Sequence, residues 1–361
     1  WGIAKLVRQR VLIPPSVGSS PATPAILHNA SLMTGVFVFR TLTIFGLLVV
    51  HFCHHLITMS FAMPDNLSEK LIKLLSPLLF LIASEVISAP VMQTAELDGQ
   101  SRSWRLFLPD GIKAGVEYPL VFNFHGTGST PEQITELNEL ESLAEQHKFI
   151  VVAPKAEFSY EAGGRHTWNV EQLDSPYNDV AFIKGLIAHL AQHYPIDTDR
   201  IYATGFSGGA RMSSRLACDL ADTFAAIAPI AGVRFADNCA PAKAMPVLTY
   251  HGTQDPVNHY QHQADSPRYW HEGVEPAIQD WVAFNGCENR TTSAIRPGVT
   301  KTVWSDCRDD VAVIFYRSEQ AGHTWPGSPK ADLLAKYGLG STDDLPMSDI
   351  IWAFLKQYQR Q

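Results

Sequence analysis

Cysteine is scarce in this chain: there are five among 361 residues, and no two stand in a C-x-x-C pair. Structural zinc sites usually draw on such pairs, so that class of fold is not indicated. Basic runs are missing as well. The net charge is −8, with 28 Lys and Arg against 36 Asp and Glu, and nothing resembles a phosphate-binding track. Nucleic acid is therefore not an expected partner. Between residues 95 and 361 there is also no linker, repeat or low-complexity stretch, which leaves one domain of about 265 residues, near the upper range for a single core.

The first quarter of the chain reads differently. Residues 1–30 begin with Trp and mix Pro, Ser and Arg without helical or strand period. They are expected to be non-native or upstream sequence, with translation starting at Met33, Met59 or Met63. That description extends over residues 1–62, which include the partly apolar run "GVFVFRTLTIFGLLVVHFCHHLITM". Residues 63–89 have Lys70 and Lys73 ahead of a short apolar core and end in the small residues Ser88 and Ala89. This is the layout of a secretory signal peptide cut after Ala89, with a membrane anchor as the rival reading. Export to the periplasm or the outside follows, with no stable membrane association once the signal is removed.

Cysteine placement agrees with export. Cys218, Cys239, Cys287 and Cys307 all lie beyond the expected cleavage point, and four cysteines allow three pairings. Sequence order makes Cys218 with Cys239 and Cys287 with Cys307 the simplest of these. Each would close a loop of about twenty residues and contribute on the order of 3 kcal/mol. Cys53 falls in the part expected to be lost.

From residue 100 onward, short apolar runs alternate with helical periods. "PLVFNF", "FIVVAP", "RIYATG", "FAAIAPIAG", "MPVLTYHG" and "VAVIFYR" suit strands buried on both faces. Helical spacing is found over 131–147, 179–194, 209–221, 275–286 and 348–359. The alternation predicts a mostly parallel central sheet with helices on both faces.

Within that frame the stretch "IYATGFSGGARMSSRLAC" carries G-x-S-x-G around Ser207. Glycines at a strand-to-helix corner with a serine cap would explain it blandly. A nucleophile elbow explains it chemically, and two further placements favour the elbow. Asp255 follows "MPVLTYHGTQ" and His323 follows "VAVIFYRSEQAG", each just past a predicted strand. In such sheets reactive groups collect beyond the carboxyl ends of the strands, and the order Ser, Asp, His is that of an α/β-hydrolase. His323 would take the serine proton and return it to the leaving group, while Asp255 holds the imidazole tautomer. The oxyanion needs two N–H donors: Gly208, directly after the serine, and Thr127 in "NFHGTGST". His125 in that loop is expected to be scaffold. Asp237, Asp265 and Asp306 are the rival loop aspartates.

These stretches, together with "DVAFIKGLIAHLAQHYPIDTDRIYATGFSGGARMSSRLACDLADTFAAIAPIAG", "PVLTYHGTQDPVNHY" and "GHTWPG", resemble one family. From about Arg102 onward the chain resembles the esterases named for poly(3-hydroxybutyrate) depolymerases, which are related to feruloyl and acetylxylan esterases. The resemblance implies an α/β-hydrolase fold as a single catalytic domain, secretion, and a serine carboxylic ester hydrolase with the triad on Ser207, Asp255 and His323. It agrees with the two disulfides; no cofactor and no metal are expected. Family members that attack solid polyester usually add a linker and a substrate-binding domain after the catalytic one. The sequence stops at Gln361 right after its last helix, so a small ester, an oligoester or a polysaccharide-linked acyl group is expected as substrate at least as readily as a crystalline polymer.

Other residues have mostly structural readings. His251, His259, His262 and His271 near Asp265 match no standard metal-ligand spacing. Tyr260 and Trp325 could line the pocket, and Trp168 and Trp270 suit the core better. Asp179 is expected to cap the helix that follows it. Two rival functions remain. A serine peptidase of the prolyl-oligopeptidase kind shares the fold but would normally carry a propeller or cap domain, and a non-catalytic binding module would be expected to have lost a triad member.

Overall fold

Six central strands are built around apolar stretches, and that property dictates their environment. A strand with no polar face must be covered on both sides, so helices have to flank the sheet. The computed structural model describes residues 90–113 and 115–360. The expected upstream segment 1–62 with Cys53, and the expected signal peptide 63–89, lie outside the described residues.

The described chain forms one ten-stranded sheet in the order β1-β2-β4-β3-β5-β6-β7-β10-β9-β8. Its centre is β3 (Tyr118–Phe124), β4 (Ile150–Pro154), β5 (Ile196–Phe206), β6 (Ala226–Ile230), β7 (Val247–Gly252) and β10 (Val313–Ser318). These six run parallel, with Leu120 of β3 opposite Ile150 of β4 and Ile201 of β5, and Val313 of β10 opposite Val247 of β7. All residues of β3, β4, β6 and β7 are buried.

Antiparallel strands close both sides, and these were not legible as strands. β1 (Val91–Leu97) and β2 (Gln100–Phe107) form a hairpin around Asp98 and Gly99, both at positive φ, and β2 pairs with β4. Asp-Gly is a strong hairpin signal. The sheet thus begins at Val91, four residues before the expected domain start. On the other side β9 (Val299–Ser305) pairs with β10, and β8 (Asn289–Arg296) is exposed at every position. Its polar sequence, NRTTSAIR, has no buried face to leave an alternating pattern.

Helices α1 (Pro131–Asn138), α2 (Leu140–His147) and α7 (Met347–Leu355) cover one face, where Trp352 stacks on Phe149 with ring centroids 4.1 Å apart. Helices α3 (Asp179–His193), α4 (Gly208–Asp219) and α5 (Val274–Asn285) cover the other, and a short α6 (Ala331–Lys336) precedes α7. The run 131–147, expected as one helix, breaks because Glu139 is left-handed (φ 50°). Asn138 causes this locally: its carboxamide is held by Asn123 and accepts from the Leu140 N–H instead of facing solvent on a continuous helix.

Asp179 is not the cap of α3. Asn178 caps it, accepting from the Ala181 N–H at 3.0 Å, and Asp179 turns inward to pair with Arg102 and to accept from the Asn169 N–H at 2.7 Å. The Arg102 guanidinium lies 4.0 Å above the Phe182 ring, so the ion pair stands in an apolar setting, and burial pushes the Asp179 carboxyl up despite Arg102.

The cysteines join as Cys218–Cys239 and Cys287–Cys307. The first ties the end of α4 to the segment after β6, and the second ties the chain after α5 to the end of β9. Among the described residues no helix is long and apolar enough to cross a membrane.

Candidate active site

Ser207 stands between β5 and α4 with φ 58° and ψ −113°, far from helical or strand values. A residue held there is strained by about 1–3 kcal/mol, and its surroundings must enforce it. They do so by close approach. A Cβ on Gly209 would sit 2.1 Å from Phe124 O, and one on Gly205 would sit 2.7 Å from the same atom. Only glycine lets α4 start this close to β3. The Ser207 N–H donates to Ile230 O at 3.0 Å, and its carbonyl accepts from the Arg211 N–H at 3.1 Å. Its side chain makes no capping bond, so the bland reading of Ser207 as a helix cap does not describe it.

Thr127 faces the same corner from the loop after β3. A Cβ on Gly208 would come within 3.1 Å of Thr127 N and 2.7 Å of Thr127 Oγ1, which places the two residues against each other. The Thr127 hydroxyl is tied to Thr167 Oγ1 at 2.7 Å, and the Gly128 N–H donates to His166 O at 2.8 Å. Among the described residues neither the Thr127 nor the Gly208 N–H donates to a backbone carbonyl.

His125 lies behind this loop and is fully buried. Its Nε2 accepts from the Ala156 N–H at 3.1 Å, so the ring proton is on Nδ1, which donates to Gly126 O at 2.8 Å. Both nitrogens are spent on backbone, as a scaffold role requires. Burial lowers its pKa to about 4. A base depressed in the fold binds fewer protons than the unfolded chain between that value and the ordinary 6.5, so its contribution to stability is complete above pH 6.5 and shrinks as pH falls towards 4. Wild type should lose about 2 kcal/mol more than His125→Asn between pH 7 and pH 5 in urea unfolding, from this shift. Parallel slopes for the two proteins would refute it.

Asp255 and His323 are brought together from the ends of β7 and β10. His323 Nδ1 lies 2.7 Å from Asp255 Oδ2, with both side chains nearly inaccessible. Asp255 Oδ1 accepts from the Val257 and Asn258 N–H groups, each at 2.8 Å. Burial works to raise the Asp255 pKa, but the imidazoles of His323 and His251 outweigh it and hold the carboxyl far below its ordinary range. The His323 ring packs on Phe206, the neighbour of Ser207, with centroids 4.7 Å apart. Asp237, Asp265 and Asp306 are exposed and do not contact His323.

Trp325 is 1% exposed in the core layer under α7 and borders a cavity of about 290 Å³ that includes none of Ser207, Asp255 and His323. Tyr260 is half-buried; its hydroxyl donates to Glu275 at 2.7 Å and its ring stands beside Phe315 and His251. It stands next to His251, which contacts Asp255. Trp168 and Trp270 are core residues whose indole N–H groups donate to His125 O and His259 O.

The four histidines once weighed as a cluster have separate partners. His271 meets Glu171 and Asp237, His259 meets Ser266, and His262 is exposed. His251 is the exception, since its Nε2 lies 3.1 Å from Asp255 Oδ2. Sequence reading passed over that contact, although the four-residue spacing from Asp255 at a strand end was visible.

Comparison with known proteins bears on the family and the fold. Residues 102–278 match the family described as esterase PHB depolymerase. Feruloyl esterase B of Piromyces equi is 28% identical over 226 residues, covering 60% of this chain and 41% of that protein. Poly(3-hydroxyalkanoate) depolymerase C of Paucimonas lemoignei is 27% identical over 171 residues, covering 46% of this chain and 40% of its own length. The chain thus spans about two fifths of each of these relatives. Among solved structures, the acetyl xylan esterase from Aspergillus awamori superposes with a TM-score of 0.50 at 19% identity, over 69% of this chain and all of that one. That likeness concerns the fold.

Proposed function

We propose that this chain, whose residues 102–278 carry the esterase PHB depolymerase domain, is an exported carboxylic ester hydrolase working through an acyl-enzyme on Ser207. The observation that carries the reading is the Asp255–His323 pair at 2.7 Å, seated on the ring next to a serine in a strained elbow.

His323 donates its Nδ1–H to Asp255 and so keeps Nε2 free as a base. That nitrogen takes the Ser207 proton as Oγ attacks the ester carbonyl. Charge developing on the carbonyl oxygen is met by the Gly208 and Thr127 N–H groups, which have no competing backbone acceptor among the described residues. The imidazolium then protonates the leaving alkoxide, and an alcohol departs. Water, deprotonated by the same nitrogen, cleaves the acyl-serine and restores the enzyme.

Feruloyl, acetyl and 3-hydroxyalkanoyl esters are the acyl classes suggested by the relatives. Export is supported by two disulfides, which persist in oxidising compartments. A panel of p-nitrophenyl acetate, p-nitrophenyl butyrate, methyl ferulate and a matched amide tests the class. Turnover of esters with no turnover of the amide is expected; comparable rates on the amide would favour the peptidase reading.

A further inference from the structure

Asp255 Oδ2 has two imidazole neighbours. Besides His323, it has His251 Nε2 at 3.1 Å, and the same Nε2 lies 2.8 Å from Asn258 O. Both neighbours of Nε2 are acceptors, so the ring proton sits there and faces the carbonyl and the carboxylate together. Nδ1 is then a bare nitrogen, and it is buried without a hydrogen-bond partner among the described residues. An unpaired polar atom in the interior costs about 1–3 kcal/mol. An apolar ring would fill the space beside Trp270 and Tyr260, whose centroids lie 6.0 and 6.2 Å away, without that cost.

The contact reaches further than the acid. Asn258 gives its backbone N–H to Asp255 Oδ1, and its carboxamide donates to Ala231 O at 2.7 Å. Ala231, itself left-handed at φ 55°, leads into Gly232, where a Cβ would stand 2.5 Å from Ser207 O. His251 thus holds closed the 255–258 turn that grips the carboxylate and braces the elbow.

We propose that His251 is a positioning residue for Asp255: its Nε2–H pins the 255–258 turn and shares Oδ2, so that the carboxylate meets His323 Nδ1 in one fixed orientation. The role rests on the Ser207, Asp255 and His323 assignment.

The test uses the full chain with His251→Phe, which keeps a ring without a donor; His251→Leu, as a second donorless variant; and His251→Gln, which restores an N–H near Nε2. On p-nitrophenyl butyrate, kcat should fall about 10–100-fold in the donorless variants with KM within about two-fold, as for other partners that orient a functional side chain. Glutamine should recover most of the loss. Because the effect passes through the carboxylate, His251→Phe should cost almost nothing further in an Asp255→Asn background. A substrate-free readout accompanies the kinetics: the low-field imidazole proton resonance that vanishes in His323→Gln should move in His251→Phe and return in His251→Gln. An additive loss in the Asp255→Asn background, or an unmoved resonance in folded His251→Phe, overturns the proposal. Wild-type protein inert on every ester would end the hydrolase reading instead, and the resonance would still decide the role of His251.

Discussion

Ser207→Ala should remove ester hydrolysis almost completely, by roughly a million-fold in kcat, while leaving the protein folded. The size of the effect follows from chemistry: without the hydroxyl no acyl-enzyme forms, and what remains is the weak push of the oxyanion donors on a bound ester. The absence of a folding effect follows from structure. The Ser207 side chain caps nothing, and both of its backbone groups are bonded independently of Oγ, to Ile230 and Arg211. Phenylmethylsulfonyl fluoride should label Ser207 in wild type, and peptide mapping checks it. Label found at Ser213, whose hydroxyl is spent on Gly209 O at 3.0 Å, would sink the assignment.

The second large effect concerns the acid. Asp255→Asn should lower kcat by up to about ten-thousand-fold on the same ester, while Asp265→Asn at the same pH stays within about two-fold of wild type. An asparagine can present its NH2 to His323 Nδ1, which favours the tautomer whose proton sits on Nε2, where the base must be bare. Asparagine at 255 would also lack the charge that stabilises the imidazolium. Asp265 is exposed and has no link to His323, so nothing passes from it to the ring. A larger loss at Asp265 than at Asp255 would transfer the acid role and dismantle the site as described.

Much of the scaffold was legible because its signals are local. The parallel strands advertise themselves by short, mostly apolar runs, and Ser207, Asp255 and His323 could each be placed just past one of them. The antiparallel flanks were harder: β8 has no buried face, so its residues carry no period to read. The break at Glu139 was missed because its cause, the Asn123–Asn138 carboxamide pair, spans two elements. Asn178 took the cap expected of Asp179 because Arg102, 77 residues away, claims the aspartate. Tyr260 and Trp325, aromatic and near Asp255 and His323 in sequence, pack against and within the core.

By itself, the sequence determined the class of sheet, the glycine-lined corner at Ser207 and the placement of Ser207, Asp255 and His323 each just past a strand, since each depends on residue type and short-range spacing. Only the tertiary structure decided which aspartate meets which histidine. Asp255 and His323 are 68 residues apart, and their contact exists because β7 and β10 lie side by side in the sheet, so that the loops beyond Gly252 and Ser318 leave it together. The same folding set His251 against the acid and left one of its nitrogens unpaired. Hydrogen bonds between side chains form wherever packing brings donors within about 3 Å of acceptors, and chain distance carries no information about that.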